Sequence, residues 1–256
     1  MLKFDPMDIN SNKYTYIFSI VMVVVVAAML SYAAISLKPA QDANIELEKK
    51  QEILSSINVI VTREEAGEAF DKYIKSSLVI RNGEVVENPT QPAFEIDMAT
   101  AASLPSSERE VPLFVANVDG KEFYIIPMRG KGLWGPVWGN LSLEKDGNTV
   151  FGASFGHKGE TPGLGAEIST ALFSGQFVGK KIMEQGNFVS IAVIKAKPST
   201  DHEVQGISGG TITSVGVESM LKDCLSPYVD YLKTLGQAAP AAAPVMDTVN
   251  VEVSSL

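Results

Sequence analysis

The chain has 256 residues, 45% hydrophobic and 20% charged, a balance that supports packed structure and excludes wholesale disorder. Asp and Glu outnumber Lys and Arg 30 to 21, and the net charge of -9 argues against a nucleic-acid partner, which needs a basic face for the phosphates. The one cysteine, Cys224, excludes an intramolecular disulfide and any zinc or iron–sulfur centre ligated by cysteines of this chain. Two histidines, His157 and His202, leave little for a histidine-rich metal site.

From Tyr14 to Leu37 there is no charged residue, and Lys13 and Lys38 frame this run of 24 residues. As a helix rising about 1.5 Å per residue it is roughly 36 Å long, enough to cross a bilayer core of about 30 Å. The competing reading is a cleaved signal peptide, for which Ser31-Tyr32-Ala33-Ala34 resembles a small-residue site. Its apolar region would be about 7–15 residues, shorter than this one. The residues therefore predict a retained single-pass anchor over 14–37 behind an N-terminal tail over 1–13. Lys3 and Lys13 precede the span, and Lys38, Lys49 and Lys50 follow it, so charge alone does not fix orientation. The expectation is the N-terminus inside and the body outside.

Residues 38–110 are expected to be a membrane-proximal region of helix and loop. Asp42 to Asn58 is charged, with Ile45, Ile53, Leu54 and Ile57 interspersed, and predicts a helix. Thr62-Arg63-Glu64-Glu65 has the capping-box pattern, with Thr62 able to accept from the Glu65 amide. Ala66, Ala69, Phe70, Tyr73 and Ile74 then recur at helical spacing. Asn88 to Ser107, rich in Pro, Ser, Ala and Thr, predicts loop. A domain over 111–236 follows. Val111 to Val118 and Lys121 to Met128 flank Asp119-Gly120, a two-residue hairpin signal. Asn140 to Leu143 and Thr149 to Phe155 flank a second Asp-Gly pair, Asp146-Gly147, and Phe188 to Lys195 predicts a further strand. A helix is expected from Thr213, carried by Leu221, Leu225, Tyr228 and Leu232, with Pro227 kinking or splitting it. Residues 237–256 are expected to be a mobile tail. The fold class is α+β, an antiparallel sheet flanked by helices behind one transmembrane helix.

Two motifs invite chemical readings that their surroundings oppose. Gly130-Lys131-Gly132-Leu133-Trp134-Gly135 fits G-x-G-x-x-G, but Pro136 and another strand follow where a dinucleotide fingerprint opens a helix. Gly152-Ala153-Ser154-Phe155-Gly156 fits the nucleophile elbow, and His202 could complete a triad on paper. A turn-rich loop follows instead of a helix, and Ser154 is expected on a strand. Cys224, one helical turn from Leu221, reads as a buried apolar residue. Trp134 and Trp138 either pack or wall a flat ligand.

Three segments remain: Gly132-Leu133-Trp134-Gly135-Pro136, then His157-Lys158-Gly159-Glu160-Thr161-Pro162-Gly163-Leu164-Gly165, then Ser208-Gly209-Gly210-Thr211-Ile212-Thr213-Ser214. In this order behind one anchor, they resemble the covalent-FMN domain of the C subunit of the sodium-translocating NADH:quinone reductases, over most of the chain. The third resembles that family's S-G-A-T flavinylation motif, whose final Thr carries FMN through a phosphoester. By position this is Thr211. A threonine hydroxyl supplies the one atom such a bond needs, and Ser208, Gly209 and Gly210 let backbone approach the phosphate. Thr213 and Ser208 add hydroxyls, and the helix expected nearby adds its N-terminal dipole. The competing reading of this segment alone is a helix-capping turn.

Further expectations come with the resemblance. The loop amides and the Glu160 and Thr161 side chains, on a hinge made by Gly163 and Gly165, would meet the isoalloxazine edge. Leu133, Trp134 and Leu164 would cover the ring, and His157 would serve either the flavin or the loop. The resemblance implies an electron-relay subunit of a complex that oxidises NADH, reduces quinone and moves sodium outward. It also implies other membrane subunits and a flavin transferase as partners, the bacterial inner membrane as location and an extracytoplasmic flavin domain. The G subunit of the related Rnf complex, which uses a ferredoxin donor, shares the motif, and a flavin-free scaffolding subunit is the alternative of another class. Two positions depart from the family: Gly210 stands where Ala is usual, and Gln205 where the transferase usually reads Asp. With no carboxylate between Tyr14 and Leu37, the anchor is not expected to carry sodium.

Overall fold

The structure is a computed structural model and describes residues 11–105 and 108–238. Most of the expected N-terminal tail, the C-terminal tail beyond Ala238, and Ser106 and Ser107 of the expected loop lie outside the described residues. The chain divides into two compact units, Met1–Lys49 and Lys50–Leu256.

The described part of the first unit is helical. Helix α1 (Asn12–Ser56) runs through the whole uncharged stretch and through Pro39. Lys38 and Asp42 pair across the proline at 3.3 Å. Apolar side chains from Tyr16 to Leu37 are exposed around the helix. A helix apolar on all sides with no protein around it calls for an apolar medium, and α1 is long and apolar enough to cross a membrane. The expected anchor and membrane-proximal helix are thus one element.

The second unit is built on a six-stranded antiparallel sheet. Its strands are β1 (Ile74–Arg81), β2 (Glu84–Val85), β3 (Val111–Val118), β4 (Lys121–Lys131), β5 (Pro136–Leu143) and β6 (Val150–His157), in spatial order β2-β1-β3-β4-β5-β6. The β3–β4 turn places Asp119 at φ 51° and Gly120 at φ 79°, the two positive values of a type I′ turn, which matches the sheet's own twist. The β5–β6 connection is wider than a two-residue turn. There Asp146 accepts from the Asn148 and Thr149 amides at 2.9 and 2.8 Å and from the Thr149 hydroxyl at 2.6 Å.

Both faces of the sheet are covered, so residues 111–116 of β3 and 123–128 of β4 are buried without a break rather than alternating. Phe114, Ala116, Phe123 and Ile125 join Ile53 and Leu54 from the end of α1, Ile57 just after it, Phe70 from α2 (Ala66–Tyr73) and Ala101 from α3 (Met98–Ser103). Leu113, Val115, Tyr124 and Ile126 face the larger core with Phe173 from α4 (Ala171–Ser174), Val217 and Leu221 from α5 (Thr211–Leu225), and Leu232 from α6 (Val229–Ala238). Helix α5 reaches the sheet backbone to backbone: a Cβ on Gly216 would lie 2.2 Å from the Lys131 carbonyl oxygen. This contact sets the height of its N-terminus beside the β4–β5 turn. Pro227 splits α5 from α6 as expected, through a 3-10 turn over Ser226–Tyr228.

Several expectations are corrected. Residues 38–110 hold β1 and β2 as well as helix and loop, so the sheet begins well before residue 111. The expected loop over 88–107 contains α3, which Asp97 caps by accepting from the Ala99 amide at 3.0 Å. Thr62 donates its hydroxyl to the Glu65 carboxylate at 2.9 Å instead of accepting from the Glu65 amide, and only the reciprocal half of the capping box, Thr62 N–H to Glu65, is formed. Phe188 to Lys195 is broken by Ser190 at φ 63° into β8 (Asn187–Phe188), which pairs with β7 (Met183–Glu184), and β9 (Ala192–Ile194), which pairs in parallel with β10 (Glu203–Gln205).

Candidate functional site

The three sequence segments meet at the N-terminus of α5. Glu160 joins them. Its side chain lies where β6 runs out into a loop, and only 4% of the residue is exposed. One carboxylate oxygen accepts from the Trp134 amide at 2.9 Å, in the turn after β4. The other accepts from the Thr213 hydroxyl at 2.6 Å, in the first turn of α5. Gly132 and Gly165 press on the carboxylate, since a Cβ on either would lie 2.5 or 2.4 Å from its oxygens. Burial works to raise the Glu160 pKa, but hydrogen bonds from Thr213 and Trp134 and the nearby His157 outweigh it, and the net shift is downward. The carboxylate is therefore ionised at neutral pH and used inside the protein.

The loop after β6 is similarly self-contained. The Glu160 amide donates to His157 Nδ1 at 3.3 Å, which gives His157 a loop-holding role. The Gly163 amide donates to Glu167 at 3.0 Å and the Leu164 amide to the Thr161 carbonyl at 3.1 Å. Three amides expected to face a flavin edge are thus paired within the chain, and Glu160 points inward. Thr161 and Gly163 stay on the surface, and Gly165 is buried against Thr213. The Leu164 side chain lies over Gly209, which sits at φ 75° and where a Cβ would meet Leu164 Cδ2 at 2.6 Å.

The third segment sorts its hydroxyls by depth. Thr213 is 1% exposed and bound to Glu160. Ser214 is buried and accepts from the Ile207 amide at 3.0 Å. Ser208 and Thr211 are exposed. Helix α5 begins at Thr211, two residues earlier than expected, with buried Gly210 at the N-cap and no side-chain cap. Its first amides are left for a ligand or water. Beside Thr211 lies a groove of about 380 Å3, lined by Ser208, Gly209, Lys195 and Val215 among others. Leu133, Trp134, Leu164 and Ile212 form exposed apolar surface around the three segments, with Trp134 69% exposed. This surface, with Thr211 at an uncapped 15-residue helix, suits a group with an aromatic ring at one end and a phosphate at the other.

Trp138 behaves differently from Trp134. Its indole N–H donates to the Glu52 carboxylate at 2.8 and 3.0 Å, so it packs and bonds within the domain. Nothing in either local sequence signals this pair, which lies 86 positions apart. Ser154 sits in β6 and donates to the Glu52 carbonyl at 3.0 Å, while His202 is held at 2.6 Å from the Lys181 carbonyl. No strand-to-helix elbow surrounds Ser154, and β5 follows Gly130–Gly135, so neither motif carries the chemistry it resembles. Among the described residues no group of histidine, cysteine and acidic side chains forms a metal site. Cys224 is buried, its Sγ donating to the Arg129 carbonyl at 3.4 Å.

Residues 132–226 match the family model for an FMN-binding domain, so fold and site define a flavin-binding domain on a chain with one long apolar helix. Over 211 residues the chain is 33% identical to the C subunit of the Na(+)-translocating NADH-quinone reductase of Vibrio vulnificus, covering 76% of this chain and 83% of that one. The C subunit from Haemophilus ducreyi is 31% identical over 238 residues, covering 87% and 91%. The crystal structure of the C subunit from Parabacteroides distasonis aligns at a TM-score of 0.70 and 49% identity, over 77% of this chain and 96% of that one. Shewanella oneidensis NqrC shares the fold at a TM-score of 0.60 and 24% identity, over 74% and 98%. The chain belongs to the family formed by the C subunits of the Na+-translocating NADH-quinone reductases.

Proposed function

We propose that this chain is an electron-relay subunit of a sodium-translocating NADH:quinone reductase and carries FMN on Thr211 through a phosphoester. The observation that carries the site is the sorting of hydroxyls: Thr211 opens the helix at the surface, while Thr213 and Ser214 are bound inside. Bound FMN supplies the redox chemistry, and the protein supplies placement. The uncapped amides of α5 and its dipole would hold the phosphate, Gly209 and Gly210 would keep the approach open, and Leu133, Trp134 and Leu164 would shield the ring. The phosphoester would form by transfer of the FMN phosphoryl group from a flavin dinucleotide to the Thr211 oxygen; the anhydride P–O bond would be the one broken, a nucleoside monophosphate would leave, and the hydroxyl proton would pass to it or to water.

A flavin transferase catalyses this step despite Gln205, whose backbone is clamped at both polar atoms by the Gln176 side-chain amide at 2.9 and 3.2 Å. The domain stands on the extracytoplasmic side of the bacterial inner membrane, anchored through residues 14–37, among the other subunits of the complex. The protein purified from its native membrane, denatured and run on a gel, keeps flavin fluorescence in its band. A dark band, with the transferase present, refutes the covalent reading. Protease added to intact spheroplasts cleaves the domain if the orientation is right, and full resistance refutes it.

A further inference from the structure

The second segment, His157 to Gly165, has a buried carboxylate that the proposed flavin chemistry does not use. Glu160 accepts from Trp134 on one side and Thr213 on the other, and Gly132 and Gly165 close over it. Residues of an α-helix step about 100° around the axis, so Thr211 and Thr213 point roughly 200° apart. The same split continues one turn on, where Val215 is exposed and Val217 is fully buried. A helix pinned inward through Thr213 must therefore turn Thr211 outward.

We infer that Glu160 is a positioning residue for flavinylation, which acts through Thr213 to present Thr211, and not its neighbour, as the acceptor hydroxyl. This rests on the acceptor role of Thr211 proposed above. The carboxylate forms no bond in the transfer itself. It withdraws the Thr213 hydroxyl from competition and fixes the rotation of α5, so that the Thr211 hydroxyl faces the groove from which a phosphoryl donor would come. A misplacement of about 1 Å at a reacting atom costs on the order of a hundredfold in rate. A looser first turn of α5 is enough for a smaller loss.

The test uses the full chain in detergent, a flavin transferase and flavin dinucleotide, with loading followed by intact mass and the site located by peptide mass spectrometry. Glu160→Ala and Thr213→Val each slow loading on the order of tenfold. Glu160→Gln, which keeps an oxygen for Trp134 and offers an N–H to the Thr213 oxygen, stays within about threefold of the unaltered chain. Thr213→Val covers the case in which Glu160→Ala does not fold. Ile126→Ala, in the sheet core, lowers the melting temperature but loads at the unaltered rate. Loading of both Glu160→Ala and Thr213→Val at the unaltered rate overturns the inference. So does equal slowing in Ile126→Ala, which would make the effect one of stability alone. An unaltered chain that takes no flavin at Thr211 overturns the acceptor reading itself, and this inference with it.

Discussion

Replacing Gly216 with Ala sets two known effects against each other. In an exposed helix interior the change stabilises by about 1 kcal/mol, because alanine loses less backbone entropy. In α5 the new Cβ would lie 2.2 Å from the Lys131 carbonyl oxygen and 3.2 Å from its carbon. Ordinary contact begins near 3.4 Å, so helix and strand must part by about 1 Å. The obstacle is backbone at the end of β4, which cannot rotate away as a side chain would. Overpacking costs about 1–3 kcal/mol, and an obstacle made of backbone puts this case in the upper part of that range, about 2–3 kcal/mol; less the propensity gain of about 1 kcal/mol, the net effect is destabilisation of roughly 1–2 kcal/mol. For a domain of this size that lowers the melting temperature by about 2–8 °C. Thermal unfolding followed by circular dichroism on the full chain in detergent measures it. A variant as stable as the original, or more stable, refutes the backbone-to-backbone account of how α5 is seated. The same displacement lifts the first turn of α5 from Glu160, so flavin loading falls with it.

Two further predictions rest on buried polar contacts. Trp138→Phe removes the only N–H the indole offers and leaves the half-buried Glu52 carboxylate short of a donor, at a cost of about 1.5–3 kcal/mol in urea unfolding, whereas an exposed packing role predicts less than about 0.5 kcal/mol. Glu160 titrates below its ordinary value in the folded state, so the unfolded chain binds its proton first as pH falls. Its contribution is present above the ordinary glutamate pKa of about 4.3 and is lost as pH drops through the lower folded value. As pH falls from the ordinary glutamate value to the lower folded one, urea midpoints drop less steeply for Glu160→Gln than for the original, and parallel curves contradict the assignment.

What the sequence makes legible follows from how local each signal is. Asp119-Gly120 specifies its turn by backbone preference alone, and β3 and β4 lie within a few residues of where the pattern puts them. Pro227 removes a helix donor wherever it sits, so the α5–α6 break is readable. Strand β1 is not, because Lys75, Ser76 and Ser77 are exposed and only Val79 and Ile80 near its end are buried, leaving no alternation to detect. The second Asp-Gly pair shows that the dipeptide fixes a turn without fixing its length. At the site, three segments can be assembled by resemblance, but the inward commitment of Glu160 and the Glu52–Trp138 pair depend on residues brought together only by folding. Periodicity separates Trp134 from Trp138 in principle, since β5 puts Trp138 beside Gly156, where a Cβ would lie 2.5 Å from its indole nitrogen. That spacing becomes informative only once the β5–β6 register is known.

The proposed acceptor of the flavin is Thr211 alone. Peptide mass spectrometry on the protein from its native membrane, beside Thr211→Ala and Thr213→Ala expressed with the same transferase, tests it most directly. The expected result is an FMN phosphoester on Thr211 of the original, none anywhere in Thr211→Ala, and a reduced amount still on Thr211 in Thr213→Ala. Flavin that persists in Thr211→Ala, or that maps to Thr213 or Ser208 in the original, contradicts it.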